Sequence, residues 1–418
     1  MVLKDVKRMK VTQQKKQVVM LYASTLLGVL LGVLSSIVNT RFLPPAEYGD
    51  VRYVQNIINF VATFLLFGYF LSGARLMALS DDRNYVGRVK GMMLLILAGA
   101  CVVLSLAMPV CYLLHLDQPQ VAWLFLLSMP VCFYPLYFNY IDQTAQGDNQ
   151  IGLLSLARLL PYIVYVPVGY AVYSMFGATS GRMVVLQWGI YCVVYIAVII
   201  ATKPIFRQLK PIWKTLNEEN RKYGMQLYIG SLVMVSTNYL AGIALGYFNE
   251  DNSEVGFYTL ALTVTSPLVA LPTIVGTTYF KKFAVQPAIP RKVVMGTIAL
   301  TVASCILFIL LIHPVVEFLY TDRYAIVGTY ASILSVGYCI HGLGDMFNKY
   351  LCSHGQGVSV RNASIANGLF KILGYIGLVA LFNTNGAIAT TIICDIIYFS
   401  CLMYYYVRFT KKAIHEQV

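Results

Sequence analysis

Runs of about twenty apolar residues recur along almost the whole chain, separated by short polar links, and this spacing constrains the fold more than any motif does. A bilayer core of about 30 Å takes roughly 20 residues of helix. Read at that length, the sequence places spans near 18–42, 53–73, 91–113, 121–141, 153–175 and 184–202. Six more follow near 224–248, 255–280, 293–316, 325–346, 364–382 and 386–407, with the shortest links near 114–120 and 382–386. Composition agrees: 58% of the 418 residues are hydrophobic and only 12% are charged, where a soluble domain carries about 25%. The expected fold class is therefore all-α, a polytopic membrane protein of about 12 transmembrane helices.

The net charge of +13 does not form one basic face, as a nucleic-acid surface requires, so nucleic-acid binding is excluded. The cations lie between the apolar runs. Of the 31 Lys and Arg residues, 25 fall in alternate links together with the two termini, beginning with Lys4, Lys7, Arg8, Lys10, Lys15 and Lys16. The opposite side holds only Arg41, Arg52, Arg182 and Arg323, while Arg158 and Lys371 fall within spans. By the positive-inside bias both termini are expected in the cytoplasm. The first apolar run is too long for a signal-peptide core, lacks a small-residue cleavage site, and is taken as the first span. Most of the nine cysteines sit inside apolar runs, with no CxxC and no Cys/His ligand spacing, so neither a disulfide framework nor a metal site is expected.

The longest polar segment, 203–222, contains Pro204 and Pro211 and divides the spans six and six. The expected domains are an N-terminal six-helix lobe over 1–202, a cytoplasmic linker over 203–222 and a C-terminal six-helix lobe over 223–418. The halves echo each other. Glu47-Tyr48-Gly49 matches Glu254-Val255-Gly256 at an offset of 207, and Gln146-Gly147 matches Gln356-Gly357 at 210. Phe138-Asn139 and Phe347-Asn348 keep nearly the same offset. An even number of spans per half makes both halves enter from the same side, so the repeats are parallel, related by a pseudo-twofold along the membrane normal. Transporters place substrate between two such bundles; a duplicated scaffold is the alternative.

Polar residues inside the spans mark where a substrate would pass. Span 2 carries Arg52, Asn56, Asn59 and Thr63 at spacings of four, three and four, on one helical face. Span 8 has Thr259, Thr263 and Ser266 in the equivalent place, and spans 1 and 7 carry Ser24, Gly28, Gly32, Ser35, Asn39 and Ser231, Asn238, Gly242, Gly246. Small-residue stripes also serve helix packing. Charges at depth are the sharper signal, because each costs at least ~2.5 kcal/mol on insertion scales. Arg158 in span 5 and Lys371 in span 11 are such charges, with snorkelling to the interface as the competing reading. Arg41 and Arg75 sit at span ends. Acidic partners are few, namely Asp142, Asp345 and Asp395. His341, one turn before Asp345, is a candidate for proton coupling together with Asp345 and Asp395. Pro130, Pro135, Pro161, Pro167, Pro267 and Pro272 kink helices and free carbonyls that need partners in protein or water. No nucleophile–base constellation, phosphate loop or HExxH pattern occurs.

The run Asn39-Thr40-Arg41-Phe42-Leu43-Pro44-Pro45-Ala46-Glu47-Tyr48-Gly49 resembles the first outer loop of the O-antigen and polysaccharide flippases, members of the multidrug/oligosaccharidyl-lipid/polysaccharide exporter superfamily. Glu254-Val255-Gly256-Phe257-Tyr258 is similar to the same family's second-half signature. The resemblance spans nearly the whole chain through its span count and two-lobe division. It implies a protein of the bacterial inner membrane that moves an undecaprenyl-diphosphate-linked oligosaccharide to the periplasmic leaflet by alternating access. It implies no cofactor, and as partners the lipid-linked substrate, membrane lipid, a polysaccharide polymerase and a chain-length regulator. The substrate-binding candidates are Arg41, Arg52, Arg75, Arg158 and Lys371 for the diphosphate, with Asn56 and Asn59 on the polar stripe. Drug-exporting relatives use membrane carboxylates for ion coupling, and spans 1 and 7 here have Asn39 and Asn238 at polar positions instead. A drug or metabolite antiporter is the second reading. A membrane-embedded polymerase or acyltransferase is the third, disfavoured by the short outer loops.

The topology has a direct test. A reporter active only in the periplasm, fused at residue 250, is expected to give signal, and one at residue 215 none; the reverse pattern overturns the orientation.

Overall fold

The structure is a computed structural model that describes residues 2–415. The side chains of the six N-terminal cations and of Ser231, Lys281 and Lys412 lie outside the described residues. The first stretch runs through α1 (Val2–Phe42), α2 (Pro45–Phe64), α3 (Tyr69–Ala78), α4 (Arg83–Leu114), α5 (Pro119–Ser128), α6 (Tyr134–Gly147) and α7 (Ile151–Phe176). Next come α8 (Ser180–Met183), a π-helical turn (Val184–Trp188), α9 (Gly189–Ala201) and α10 (Leu209–Glu219). A second π-helical turn (Asn220–Gly224) leads into α11 (Met225–Phe248), α12 (Ser253–Thr265), α13 (Pro267–Thr278) and α14 (Phe280–Phe283). The chain closes with α15 (Arg291–Leu319), α16 (Ile326–Ser353) and α17 (Gly357–His415).

The fold is all-helical and polytopic. Among the described residues eight helices are long and apolar enough to cross a bilayer, or nine when the bent pair α2 and α3 is taken as one span. Every span expected from the sequence falls on a helix or on a broken pair. Helix α4 shows why the membrane is the solvent. Val86, Val89, Met93, Leu97, Leu104 and Met108 are buried at helical spacing, while Val102, Val103, Leu106, Val110 and Leu113 on the other side are more than half exposed. A contiguous apolar surface of that extent is stable only against hydrocarbon or another protein.

By contacts the chain forms two units, Met1–Leu43 with Ile57–Leu232, and Pro44–Asn56 with Val233–Val418. The first unit contains two broken spans. Between α2 and α3 the axis bends by 61°, where Phe67 and Gly68 take positive φ of 45° and 76°. The bend frees carbonyls, and two of them accept from distant side chains: Tyr228 Oη donates to the Phe64 carbonyl at 2.9 Å, and Asn220 Nδ2 to that of Phe67 at 3.0 Å. Gly68 and Gly224 are both glycine because a Cβ on Gly68 would stand 2.5 Å from the Gly224 backbone. The expected span at 121–141 is interrupted between α5 and α6, around Pro130 and Pro135, and there the Cys192 thiol donates to the Val131 carbonyl at 3.3 Å. Helix α10 lies against the first unit through Ile212 and Leu216, which are buried, and through Trp213 stacked on Tyr69 at 5.6 Å. Lys90, only 2% exposed, joins Asp148 at 2.6 Å and the Thr202 carbonyl at 3.1 Å, and so ties α4 to the α6–α7 turn.

In the second unit α17 is two helices merged across Asn383, whose φ is 48°. Tyr375 and Thr391 would lie about 24 Å apart on a straight helix, yet their hydroxyls are 3.1 Å apart. The chain therefore doubles back at Asn383, and the short link expected near 382–386 is a helical hairpin. Gly386 makes the reversal possible, since a Cβ there would stand 2.0 Å from the Leu378 carbonyl oxygen. A core of Phe283, Met346, Phe347, Tyr350, Tyr398 and Leu402 joins α14, α16 and α17.

The repeated Glu-Xaa-Gly motif has a packing role in this unit. Helices α2 and α12 meet at their first turns, where a Cβ on Gly49 would stand 1.7 Å from the Asn252 carbonyl oxygen and one on Gly256 would stand 3.0 Å from that of Pro45. Asn252 Nδ2 donates to Asp50 at 2.8 Å beside this contact. Gly49→Ala must separate two backbones and is expected to destabilise the protein by at least ~2 kcal/mol, measured as a fall in the unfolding temperature of detergent-purified protein. An unchanged midpoint would remove the close approach as the reason for glycine.

Candidate functional site

In the first unit Arg158, within an apolar span, is paired. Helix α7 carries Arg158 in its second turn, so its side chain faces α1 and α6. Arg158 Nη1 donates to Thr25 Oγ1 at 2.7 Å, and Nη2 to Asp142 Oδ1 at 3.3 Å. Gln146 Nε2 donates to the other oxygen of Asp142 at 2.7 Å. The Arg158 and Asp142 side chains keep 25% and 22% of their surface exposed, so the pair is reachable rather than sealed. One turn nearer the start of α7, Ser155 and Ser24 join at 3.1 Å. The same two helices frame an open groove of about 860 Å³ lined by residues that include Ser24, Leu27, Gln150, Ser155 and Leu159.

Farther along α1 and α7 the polar groups are neutral and buried. Tyr165 Oη donates to Asn39 Oδ1 and is within 2.9 Å of Tyr173 Oη. Asn39 Nδ2 reaches Gln187 Oε1 at 3.5 Å, and Gln187 Nε2 donates to Ser35 at 3.2 Å and Tyr191 at 3.0 Å. Asn39 is fully buried, so this network orders the helices from within. Asn59 accepts from Tyr134 Oη at 3.3 Å. Phe133, Tyr137, Phe138 and Tyr162 are half-buried in a wall of rings that includes Trp188, Tyr191 and Tyr195.

In the second unit Lys371 lies in the first part of α17, and its Nζ reaches Asn238 Oδ1 of α11 at 3.5 Å. Arg158 to Thr25 and Lys371 to Asn238 are the same sequence separation, 133 residues. Each unit thus sets a span-5-type cation against a polar residue of its own first span. The compensation differs: Arg158 has Asp142, whereas Lys371 pairs with no carboxylate among the described residues.

The expected coupling residues come together. His341 Nδ1 lies 2.9 Å from Asp395 Oδ1, with side-chain exposures of 29% and 5%, and the His341 ring stacks on Tyr398 at 4.6 Å. Tyr398 Oη donates to Asp345 Oδ1 at 3.0 Å, Thr273 donates to Oδ2 at 3.0 Å, and Asn348 donates to Tyr398 at 2.8 Å. Two carboxylates, one imidazole and a shared tyrosine form a chain of proton-competent groups. Tyr398, Thr273 and Asn348 escaped the sequence reading, although His341, Asp345 and Asn348 lie on one helical face by their spacings of four and three.

The remaining candidates are placed as follows. Arg52 Nη1 donates to Gln55 at 2.6 Å, and its guanidinium lies 4.8 Å over the Tyr48 ring. Asn56 is half-buried against Gly242, where a Cβ would stand 2.0 Å from its Nδ2. Arg41 is exposed in the last turn of α1. Arg75 is held by Glu219 at 2.6 Å and lies 4.5 Å over the Tyr223 ring, so it anchors the segment after α10.

The chain is thus a multi-span helical membrane protein that carries ionisable side chains within its apolar helices. The family model described as "Polysaccharide biosynthesis protein" matches residues 15–280, more than half of the chain, and the protein belongs to that family. Its fold is shared with the lipid II flippase MurJ in an inward closed conformation, at a TM-score of 0.71 and 12% identity, covering 95% of this chain and 91% of that one. An inward-facing multidrug resistance MATE family transporter of the MOP superfamily aligns at 0.67 and 12% identity, over 93% and 95% of the two chains. A MOP superfamily transporter from Pyrococcus furiosus aligns at 0.62 and 13% identity, over 97% of each. At these identities the likeness is one of fold. No curated protein matches the sequence significantly.

Tyr398→Phe removes the donor to Asp345 and the acceptor of Asn348 while leaving the stack on His341. The variant is expected to lose about 1–2 kcal/mol of stability, read from thermal unfolding; wild-type stability would mean that water replaces the hydroxyl at no cost.

Proposed function

We propose that this protein is a flippase that carries an undecaprenyl-diphosphate-linked oligosaccharide, an O-antigen or other polysaccharide repeat unit, across the bacterial inner membrane by alternating access of two six-span lobes. Membership of a polysaccharide biosynthesis family supports the substrate class, and the fold shared with a lipid II flippase supports the activity. The observation that carries the reading is the recurrence of one arrangement in each unit, a cation within an apolar span bonded to a polar group of the unit's first long helix. An unpaired lysine at depth costs at least ~2.5 kcal/mol, and a phosphate oxygen would offset that cost. Arg158 presents a guanidinium, the better bidentate phosphate partner, and exchange from Asp142 to substrate would let it release as well as bind.

In this reading Arg41, Arg52, Asn56 and Asn59 contribute further polar contacts to the sugar and diphosphate, and Arg75 acts at the rim. The lipid tail stays in the bilayer. The protein acts as a transporter and not an enzyme, with both termini in the cytoplasm, and hands its cargo to a polymerase and a chain-length regulator. The cluster of His341, Asp345, Asp395 and Tyr398 favours a second reading, cation-coupled antiport, either as the driving reaction of the flippase or as the activity of a drug or metabolite exporter.

Deletion of the gene tests the reading: lipid-linked repeat units are expected to accumulate on the cytoplasmic leaflet. Normal surface polysaccharide with altered drug sensitivity would instead select the exporter. In the same strain Arg158→Ala and Lys371→Ala are each expected to cut export at least tenfold while membrane levels stay at wild type. That factor corresponds to about 1.4 kcal/mol, less than one charge-assisted hydrogen bond can supply. Wild-type export by both variants would mean that these side chains only reach for the interface.

A further inference from the structure

The turn between α7 and α8 holds an arginine over an apolar groove that the transport reading does not use. Gly177, at φ 74°, ends α7, and Thr179 caps the next helix by accepting from the Arg182 backbone N–H at 3.2 Å. The guanidinium folds back, and its Nη1 donates to the carbonyl oxygens of Phe176, at 2.5 Å, and of Gly177. Both bonds use one nitrogen, which leaves the N–H groups of Nε and Nη2 for another acceptor. No carboxylate pairs with Arg182 among the described residues. The side chain is thus fixed in direction and uncompensated in charge.

Arg182 lines one end of a groove of about 430 Å³ whose other walls are apolar, with Val164 and Val172 on α7 facing Leu186, Ile190 and Val193. β-Branched side chains are stiff at χ1, so the walls are preformed. The π-helical turn Val184–Trp188 lies in one wall, an irregularity found often at functional sites. From Arg182 to Val194 the wall rises about 18 Å at helical pitch, close to the depth of one leaflet of a ~30 Å hydrocarbon core.

A cation fixed at the mouth of a slot one leaflet deep matches an amphiphile with an anionic head and a fatty chain. We propose that this groove binds one anionic glycerophospholipid, with its phosphate on Arg182 and one acyl chain along Leu186, Ile190 and Val193. The depth of the slot favours an acyl chain over a polyprenyl chain, which would overrun it at Val194. Seated there, the lipid bridges α7 to the helix after it and stabilises that pair in the membrane.

The test uses the full chain in nanodiscs of phosphatidylcholine with and without phosphatidylglycerol, read by native mass spectrometry and thermal unfolding. The wild type is expected to retain one phosphatidylglycerol in preference to phosphatidylcholine and to unfold at a higher temperature when it is present. Arg182→Gln is expected to lower that preference roughly fivefold, the factor for one basic residue near an anionic lipid. Val193→Trp fills the slot and leaves the arginine bonds to the turn intact; Val193 is 68% exposed, so the larger side chain can be accommodated. This variant should lose both retention and the thermal gain. Equal retention of the two lipids by the wild type, or wild-type retention by Val193→Trp, overturns the proposal. Displacement of the phospholipid by an equimolar polyprenyl phosphate overturns the choice of occupant.

Discussion

A polar group inside hydrocarbon has to find its partner within the protein, and that requirement shapes each unit of this structure. It makes the chain helical, because only a helix satisfies its own backbone where no water is present. It also dictates how a helix may break. At the α2–α3 bend the carbonyls of Phe64 and Phe67 are met by Tyr228 and Asn220, and between α5 and α6 the Val131 carbonyl is met by Cys192. Each break is tied to a side chain far away in sequence, so a bend is a tertiary feature rather than a local weakness.

The same rule separates the charged groups by role. Lys90 is sealed with Asp148 and a backbone carbonyl, and Arg75 is fastened to Glu219; these pairs hold helices together. Arg158 and Lys371 each reach a polar partner 133 residues earlier in the chain, but among the described residues only Arg158 also has a carboxylate. Breaking a buried pair is costly because the surviving charge loses its compensation. A half-exposed pair can trade one anion for another at much lower cost. Arg158 with Asp142, at 25% and 22% exposure, is the more open pair, and Lys90 with Asp148, at 3% and 8%, the sealed one.

The period of the apolar runs was enough to give an all-helical, polytopic fold and to put each expected span on helix, since a helix in lipid needs length and apolarity and little else. Two breaks were half-legible. Pro130 and Pro135 announce the interruption between α5 and α6, whereas the α2–α3 bend contains no proline and depends on Gly68, Gly224 and Asn220, more than 150 residues apart at the extremes. The Glu-Xaa-Gly echo was visible as a repeat, but its cause, contact between the backbones of α2 and α12, is long-range and left no local mark. His341 and Asp345 were legible as neighbours one helical turn apart. That they meet Asp395 and Tyr398 follows from the hairpin at Asn383, where a single residue with positive φ reverses the chain. Arg75 shows the opposite limit, because a cation at a span end gives no sign of whether an acid waits for it in a distant linker.

Tyrosine explains how so few charges suffice. The chain has 31 tyrosines against 21 phenylalanines, and several buried ones spend their hydroxyls on specific acceptors: Tyr165 on Asn39, Tyr140 on the Lys90 carbonyl, Tyr350 on the Pro287 carbonyl, Tyr398 on Asp345. Each ring supplies apolar area while its hydroxyl satisfies a group that would otherwise be stranded. Neutral donors can do this in a helical bundle without the desolvation cost of ions. Charge is then concentrated at a few positions, Arg158 with Asp142 in one unit and Lys371 with the His341–Asp395–Asp345 cluster in the other. A substitution there changes the electrostatics of its unit, while a substitution in the tyrosine network changes its rigidity.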